Sequence, residues 1–131
     1  MPELGDPLRP AFFQWLFYLT GTIQAELMLY FYPDKHTLST DSTAAIAKAQ
    51  EKRITEMFAL LDKELEGKTF LVGNRLSVCD FFLFMLAHWA SGFEKAPLSF
   101  AHLGRYLRAL AGRESVKQVC EIEGTALQMY Y

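Results

Sequence analysis

The chain is poor in the residues from which disulfide scaffolds, metal sites and phosphate cradles are made. Its 131 residues include two cysteines, Cys79 and Cys120, and both fall in apolar helical patterns rather than in the dense spacing of a secreted framework. A reducing cytoplasm is the expected compartment. The histidines, His36, His88 and His102, are scattered, with no pair at a separation that sets two imidazoles on one helical face, so no metal is expected. No histidine lies at a readable spacing to complete a nucleophilic set, and no glycine-rich loop could hold a phosphate. Catalytic residues are therefore assigned to none of the chain. Thirteen basic and 15 acidic residues give a net charge of -2, which offers no positive field for nucleic acid. The opening Met1-Pro2-Glu3-Leu4-Gly5-Asp6 lacks the basic and apolar regions of a secretory signal.

What is present is apolar. Hydrophobic residues make up 51% of the chain and aromatics 15%, against 21% charged, ample for one core without staples. A chain of this length can bury roughly two thirds of its unfolded surface. Ala11 to Tyr32 approaches the roughly 20 residues that cross a bilayer. It contains Gln14, Gln24 and Glu26, and a carboxylate at that depth costs several kcal/mol, so no membrane span is expected.

Pro2, Gly5, Pro7 and Pro10 predict an extended leader or linker remnant over residues 1–10. A first helix should follow, from near Pro10 to Pro33. Its main stripe is Phe12, Trp15, Leu16, Leu19, Ile23, Leu27 and Tyr30, with Phe13 and Phe17 beside it. After a polar, turn-rich stretch from Asp34 to Thr43, the pattern from about Ala44 to Glu66 is amphipathic. Ile46, Ile54, Met57, Phe58, Leu61 and Leu65 point inward, and Gly67 is placed to end the helix.

Thr69 to Leu76 resembles a strand without a partner and reads as a structured loop. Ser77-Val78-Cys79-Asp80 fits a capping box, in which the serine accepts from the third helical amide and the acid reaches back to the serine's own amide. Ser77 and Asp80 are thus structural rather than catalytic, and Asp80→Ala should cost on the order of 1 kcal/mol. Leu76 and Phe81 stand at staple positions. The helix they introduce, Val78 to about Ala90, has almost no polar interruption and is expected to be the central buried one. Cys79, near its start, should be an inert packed thiol. Two shorter helices follow, about Phe100 to Ala111 and Ser115 to Cys120, with Arg105, Arg108, Arg113 and Lys117 as a solvated basic edge. The expected fold is all-α: one domain over residues 1–131, a bundle of five or more helices.

Three runs in fixed order, Leu60-Leu61-Asp62-Lys63-Glu64-Leu65, Phe70-Leu71-Val72-Gly73 and Leu76-Ser77-Val78-Cys79-Asp80, resemble the signature of the glutathione transferase C-terminal domain. The likeness extends forward to Leu103 through Leu110 with Arg113 to Val116, and back to Gln14-Trp15-Leu16-Phe17-Tyr18, as in bacterial-type members. It implies a partner, a thioredoxin-like N-terminal domain that binds glutathione and activates its sulfur. Glutathione is then the co-substrate of the full-length protein, with no cofactor in this chain. It further implies an apolar electrophilic small molecule as second substrate, a homodimer, and a co-substrate pocket walled by Phe13, Phe17, Thr20 and Gly21. Ordinary core or subunit packing is the competing reading of those residues, since aromatic stripes at helical spacing are usually core. A dissected fragment and a natural stand-alone module both remain open, the proline-rich leader favouring the fragment. A non-catalytic interaction module is the alternative function.

Overall fold

The chain, described over residues 1–131 in a computed structural model, is helical with no strand. Helix α1 spans Arg9–Tyr18, α2 Ala25–Phe31, α3 Thr43–Glu64, α4 Val78–Trp89, α5 Ala101–Ala111 and α6 Glu114–Ile122. No helix is long and apolar enough to cross a membrane.

The first helical run continues as expected to Phe31, but it is not a uniform α-helix. Leu19–Gln24 forms a π turn between α1 and α2, and the Thr20 hydroxyl donates back to the Leu16 carbonyl at 3.0 Å. Four-residue steps drift by about 40° around an α-helix. A wider π turn offsets that drift, so Leu19, Ile23 and Leu27 all reach the core and are fully buried. Trp15, Leu16 and Tyr30, expected in the same stripe, are half-buried at its margins.

The segment before α1 is folded rather than extended. Asp6 accepts the Leu8 amide at 2.9 Å and the Arg75 guanidinium at 2.7 Å. Those contacts, the Leu8 amide first, hold its carboxyl below the usual carboxylate range. Arg9 donates to the Pro2 carbonyl at 2.6 Å. The Leu8 side chain lies over Gly73, where an added Cβ would meet Leu8 Cδ1 at 2.6 Å and the backbone φ of +61° already favours glycine.

Helix α3 ends one turn before Gly67, whose φ is +69°. Its buried face carries Gln50, Ile54, Phe58 and Leu61. Gln50 is a buried polar group that binds the Glu26 carbonyl at 3.3 Å and the Glu26 carboxylate, while Arg53 reaches that carboxylate at 3.1 Å. Helices α2 and α3 are thereby fixed in register as well as packed.

Helices α3 and α5 cap each other. The start of α5 has no side-chain cap of its own, and Asp62 supplies one from α3, accepting the His102 and Leu103 amides at 2.7 and 2.8 Å. In return Arg105 donates to the Leu65 and Lys68 carbonyls, each at 3.0 Å, beyond the end of α3. Arg105 is exposed but committed, which corrects its reading as part of a merely solvated edge.

At the start of α4, Ser77 Oγ accepts the Cys79 amide at 3.3 Å and Asp80 Oδ2 accepts the Ser77 amide at 2.7 Å. Asp80 Oδ1 turns inward to accept the Leu71 amide at 2.9 Å and the Tyr106 hydroxyl at 2.6 Å. Leu76, before the cap, lines a small hollow with Leu8 and Phe12, and Phe81, after it, lines a groove on the other side of α4's first turn from Cys79's buried thiol. Helix α4 also has an unburied side. Leu83, Leu86 and Ala87 are buried, but Val78, Phe81 and Trp89 are exposed.

Candidate functional site

The sequence-assigned pocket residues lie together: Phe17, Thr20 and Gly21 are exposed, and Phe13 is half-buried against the core. Phe13 and Phe17 are one turn apart on α1, with rings stacked 6.0 Å between centroids. Phe12, the next residue round the helix, is buried and meets Phe13 edge-on at 5.4 Å. Phe17 is 66% exposed, and the Arg9 guanidinium lies 5.0 Å above the Phe13 ring. Thr20 and Gly21 continue the exposed face into the π turn, and a Cβ on Gly21 would meet nothing within 4 Å. In this chain the four residues form an open aromatic ledge with space beside it, not an enclosed pocket.

Neither acid nor base is poised on the ledge. Burial pushes the Tyr18 hydroxyl above its ordinary range, so it stays protonated. Cys79 is buried and donates to the Phe12 carbonyl at 3.6 Å. Its thiol is pushed up by burial, offset in part by Ser77. That agrees with an inert thiol. No group of three or more potential ligands could hold a metal ion.

The largest concavity lies elsewhere, between the unburied side of α4 and helix α6. It has a volume of about 630 Å³, within the range of small-molecule sites. Phe81, Met85 and Trp89 form the α4 wall, and Val116, Val119 and Cys120 the α6 wall. His88, at its inner edge, pairs through Nδ1 with the Tyr130 hydroxyl at 3.1 Å. Burial lowers the His88 pKa and raises that of Tyr130 to about 12, so both are neutral near pH 7. Sequence reasoning missed this groove. Val119 and Trp89 gave the only signal, as large apolar residues on short helices, and a nearly all-apolar α4 conceals which side is left open.

The glutathione S-transferase C-terminal domain model matches residues 11–114. The chain belongs to that family. No curated protein and no solved structure matches the chain. The matched stretch of this glutathione S-transferase C-terminal domain includes the α1 ledge, the capped start of α4 and the mutual caps of α3 and α5. It reaches only the first residue of α6.

Proposed function

We propose that the chain is the helical co-substrate-binding and dimerisation domain of a cytoplasmic glutathione transferase-like protein. Joined to a thioredoxin-like domain, it would conjugate glutathione to apolar electrophiles. The thiolate of glutathione, stabilised by a hydroxyl or thiol of the other domain, attacks the electrophilic carbon, and the carbon's leaving group departs with its bonding pair, as halide from an activated aryl halide. The residues here supply apolar walls and orientation rather than proton transfer. The observation that carries this reading is the Phe13 and Phe17 ledge, two stacked aromatic rings with Phe17 exposed, on a helix anchored to the core by Phe12 and by the half-buried Trp15, Leu16 and Tyr18. Exposed apolar surface of that kind on a rigid helix is ordinarily covered by a ligand, a second domain or a second copy.

The test compares the chain alone with the chain joined to a thioredoxin-like domain. Alone, it should neither bind glutathione at millimolar concentration in calorimetry nor accelerate its reaction with an activated aryl halide. Joined, it should turn over, and Phe17→Ala should change the preference among electrophiles more than the affinity for glutathione. Tight glutathione binding by these 131 residues would overturn the division of labour. A joined protein that binds glutathione and never turns over would favour a non-catalytic interaction module.

A further inference from the structure

Past α6, and outside the stretch that the family model matches, residues 125–131 fold back on the bundle as a strap. Gly124, at a φ of +66°, reverses the chain, and the Thr125 amide donates to the Cys120 carbonyl at 2.7 Å. A single turn, Gln128–Tyr130, then carries Tyr130 into the core, where it is 3% exposed. Its ring lies 5.1 Å from Phe84 and 6.0 Å from the His88 imidazole between centroids. The rest of the strap holds less: Ala126, Gln128 and Met129 are exposed, Leu127 is half-buried, and the exposed Tyr131 donates to the Ala111 carbonyl at 3.0 Å. Docking therefore rests chiefly on Tyr130. Its hydroxyl meets one partner, His88 Nδ1, at 3.1 Å. A buried hydroxyl with no other acceptor donates to that nitrogen, which requires a neutral imidazole. On an imidazolium both nitrogens carry hydrogen, so the hydroxyl can only accept and its own proton is stranded in the core. The titratable groups that face His88 are few. Tyr130 comes from the strap, and Cys120 and Glu123 come from α6 across the groove; α4 itself adds only Phe81, Phe84, Met85 and Trp89, and α5 adds none. The Cys120 thiol, pushed up by burial, is neutral, and Glu123 on the rim does not offset the burial that lowers the His88 pKa.

We infer that residues 125–131 are a strap latched by the His88–Tyr130 pair and released by acid, which uncovers the apolar slot between α4 and α5 while the bundle stays folded. Ala87, Leu98 and Leu107 wall that slot beneath Met129 and Tyr130. Gly124 is the hinge. With the strap docked, the His88 pKa is held below its ordinary 6.5 by burial; release returns the ring to water and the pKa towards that value. Docking is thus complete above about pH 6.5. It weakens about tenfold for each pH unit below that, until the docked form itself takes the proton, so at pH 5 the loss is at most about thirtyfold.

Nuclear magnetic resonance on the full chain tests the latch. Cross-peaks between the Tyr130 and Phe84 rings report docking, the His88 ring protons report its titration, and far-UV circular dichroism reports the bundle. Between about pH 7.5 and 5 the cross-peaks should fall about fivefold or more while the dichroism holds. His88→Gln keeps an acceptor for the Tyr130 hydroxyl and does not titrate, so it should keep the cross-peaks at both pH values. Tyr130→Phe removes the donor that favours the neutral imidazole and should raise the His88 pKa. Glu123→Gln should release its strap as the parent chain does. Cross-peaks that persist at pH 5, or that His88→Gln loses as readily as the parent, would overturn the latch. So would a His88 pKa that Tyr130→Phe lowers or leaves unchanged. Loss of the cross-peaks only in step with the dichroism would do the same, because the whole bundle would then be unfolding. An acid release abolished by Glu123→Gln would place the switch on that carboxylate and overturn the role of His88.

Discussion

The Tyr106 hydroxyl on α5 donates to Asp80 Oδ1 at 2.6 Å, so the residue that caps α4 is also the buried acceptor tying α4 to α5. Burial first, then the Asp80 charge, pushes the Tyr106 hydroxyl far above its ordinary range, and it remains a donor at any working pH. A surface capping box accounts for about 1 kcal/mol. Here Asp80 is fully buried and also holds the Leu71 amide and the Ser77 amide and hydroxyl. Asp80→Ala should therefore cost about 3–5 kcal/mol, because it strands the Tyr106 hydroxyl and the Leu71 amide inside the core. Tyr106→Phe should cost about 1–2 kcal/mol. Urea midpoints of the two variants and their double mutant would check this; a loss near 1 kcal/mol for Asp80→Ala would mean that only the cap matters.

Two glycines within helical segments should respond to alanine with opposite signs. A Cβ on Gly21 meets open space, and its φ is not positive, so Gly21→Ala should stabilise by about 0.5–1 kcal/mol through the lower entropy of the unfolded chain. On Gly104 the same Cβ would lie 2.5 Å from the Leu98 carbonyl oxygen. That contact is backbone of the turn Pro97–Ser99, which cannot rotate away as a side chain would. Gly104→Ala should destabilise by about 1–3 kcal/mol. Thermal midpoints of both variants decide it, and a stabilised Gly104→Ala would show that α5 can move off the turn.

The sequence showed most clearly what local spacing controls. The amphipathic α3, the glycine that follows it and the serine and aspartate at the start of α4 are all short-range patterns, readable to within about two residues. Asp62 and Arg105 were not readable as caps, because each serves a helix end some 40 residues distant in the chain. The π turn left no sequence mark beyond Thr20 and Gly21. On α4 periodicity failed for a physical reason: with apolar residues on all sides, spacing cannot say that Phe81 and Trp89 face outward while Leu83 and Leu86 are buried. Phe13 and Phe17 were legible as neighbours, but nothing local announced that their face would be open.

The groups shifted by burial set a stability profile with two limbs. His88 has a folded pKa below its ordinary 6.5 because burial disfavours the imidazolium. Between the two values the unfolded chain binds more protons, so stability rises with pH there. The contribution is fully present above about pH 6.5 and is lost as pH falls through the folded value. Cys79 and Cys120, raised from 9.0, and Tyr130, raised from 10.0 to about 12, act in the opposite sense. Their contribution is complete below the unfolded values and declines as pH rises through the folded ones. A plateau from about pH 6.5 to 9 is expected. His88→Gln should flatten the fall between pH 6.5 and 5 in urea melts; an unchanged acid limb would place its origin in the carboxylates.

The ledge on α1 also predicts how the chain associates. In the chain alone, where neither an electrophile nor a second domain covers the ledge, Phe17 is 66% exposed beside Phe13 and the space over Gly21 is empty, so a second copy related by a two-fold axis could seat its own Phe17 over the first copy's glycine. In such a self-complementary contact one substitution alters both halves of the interface at once. Phe17→Glu places two carboxylates in it, and Gly21→Leu fills the space that the opposing ring would take. Both substitutions leave the core of the monomer untouched, since neither side chain contributes to it. The expected result in sedimentation at high micromolar concentration is a dimer for the parent chain and monomers for Phe17→Glu and Gly21→Leu. Val119→Arg, on the α4/α6 groove rather than the ledge, should remain dimeric. If the parent chain sediments as a monomer and binds no dye at the ledge, the idea that a second copy covers α1 is wrong. If Val119→Arg alone dissociates the dimer, the contact belongs to the α4/α6 groove.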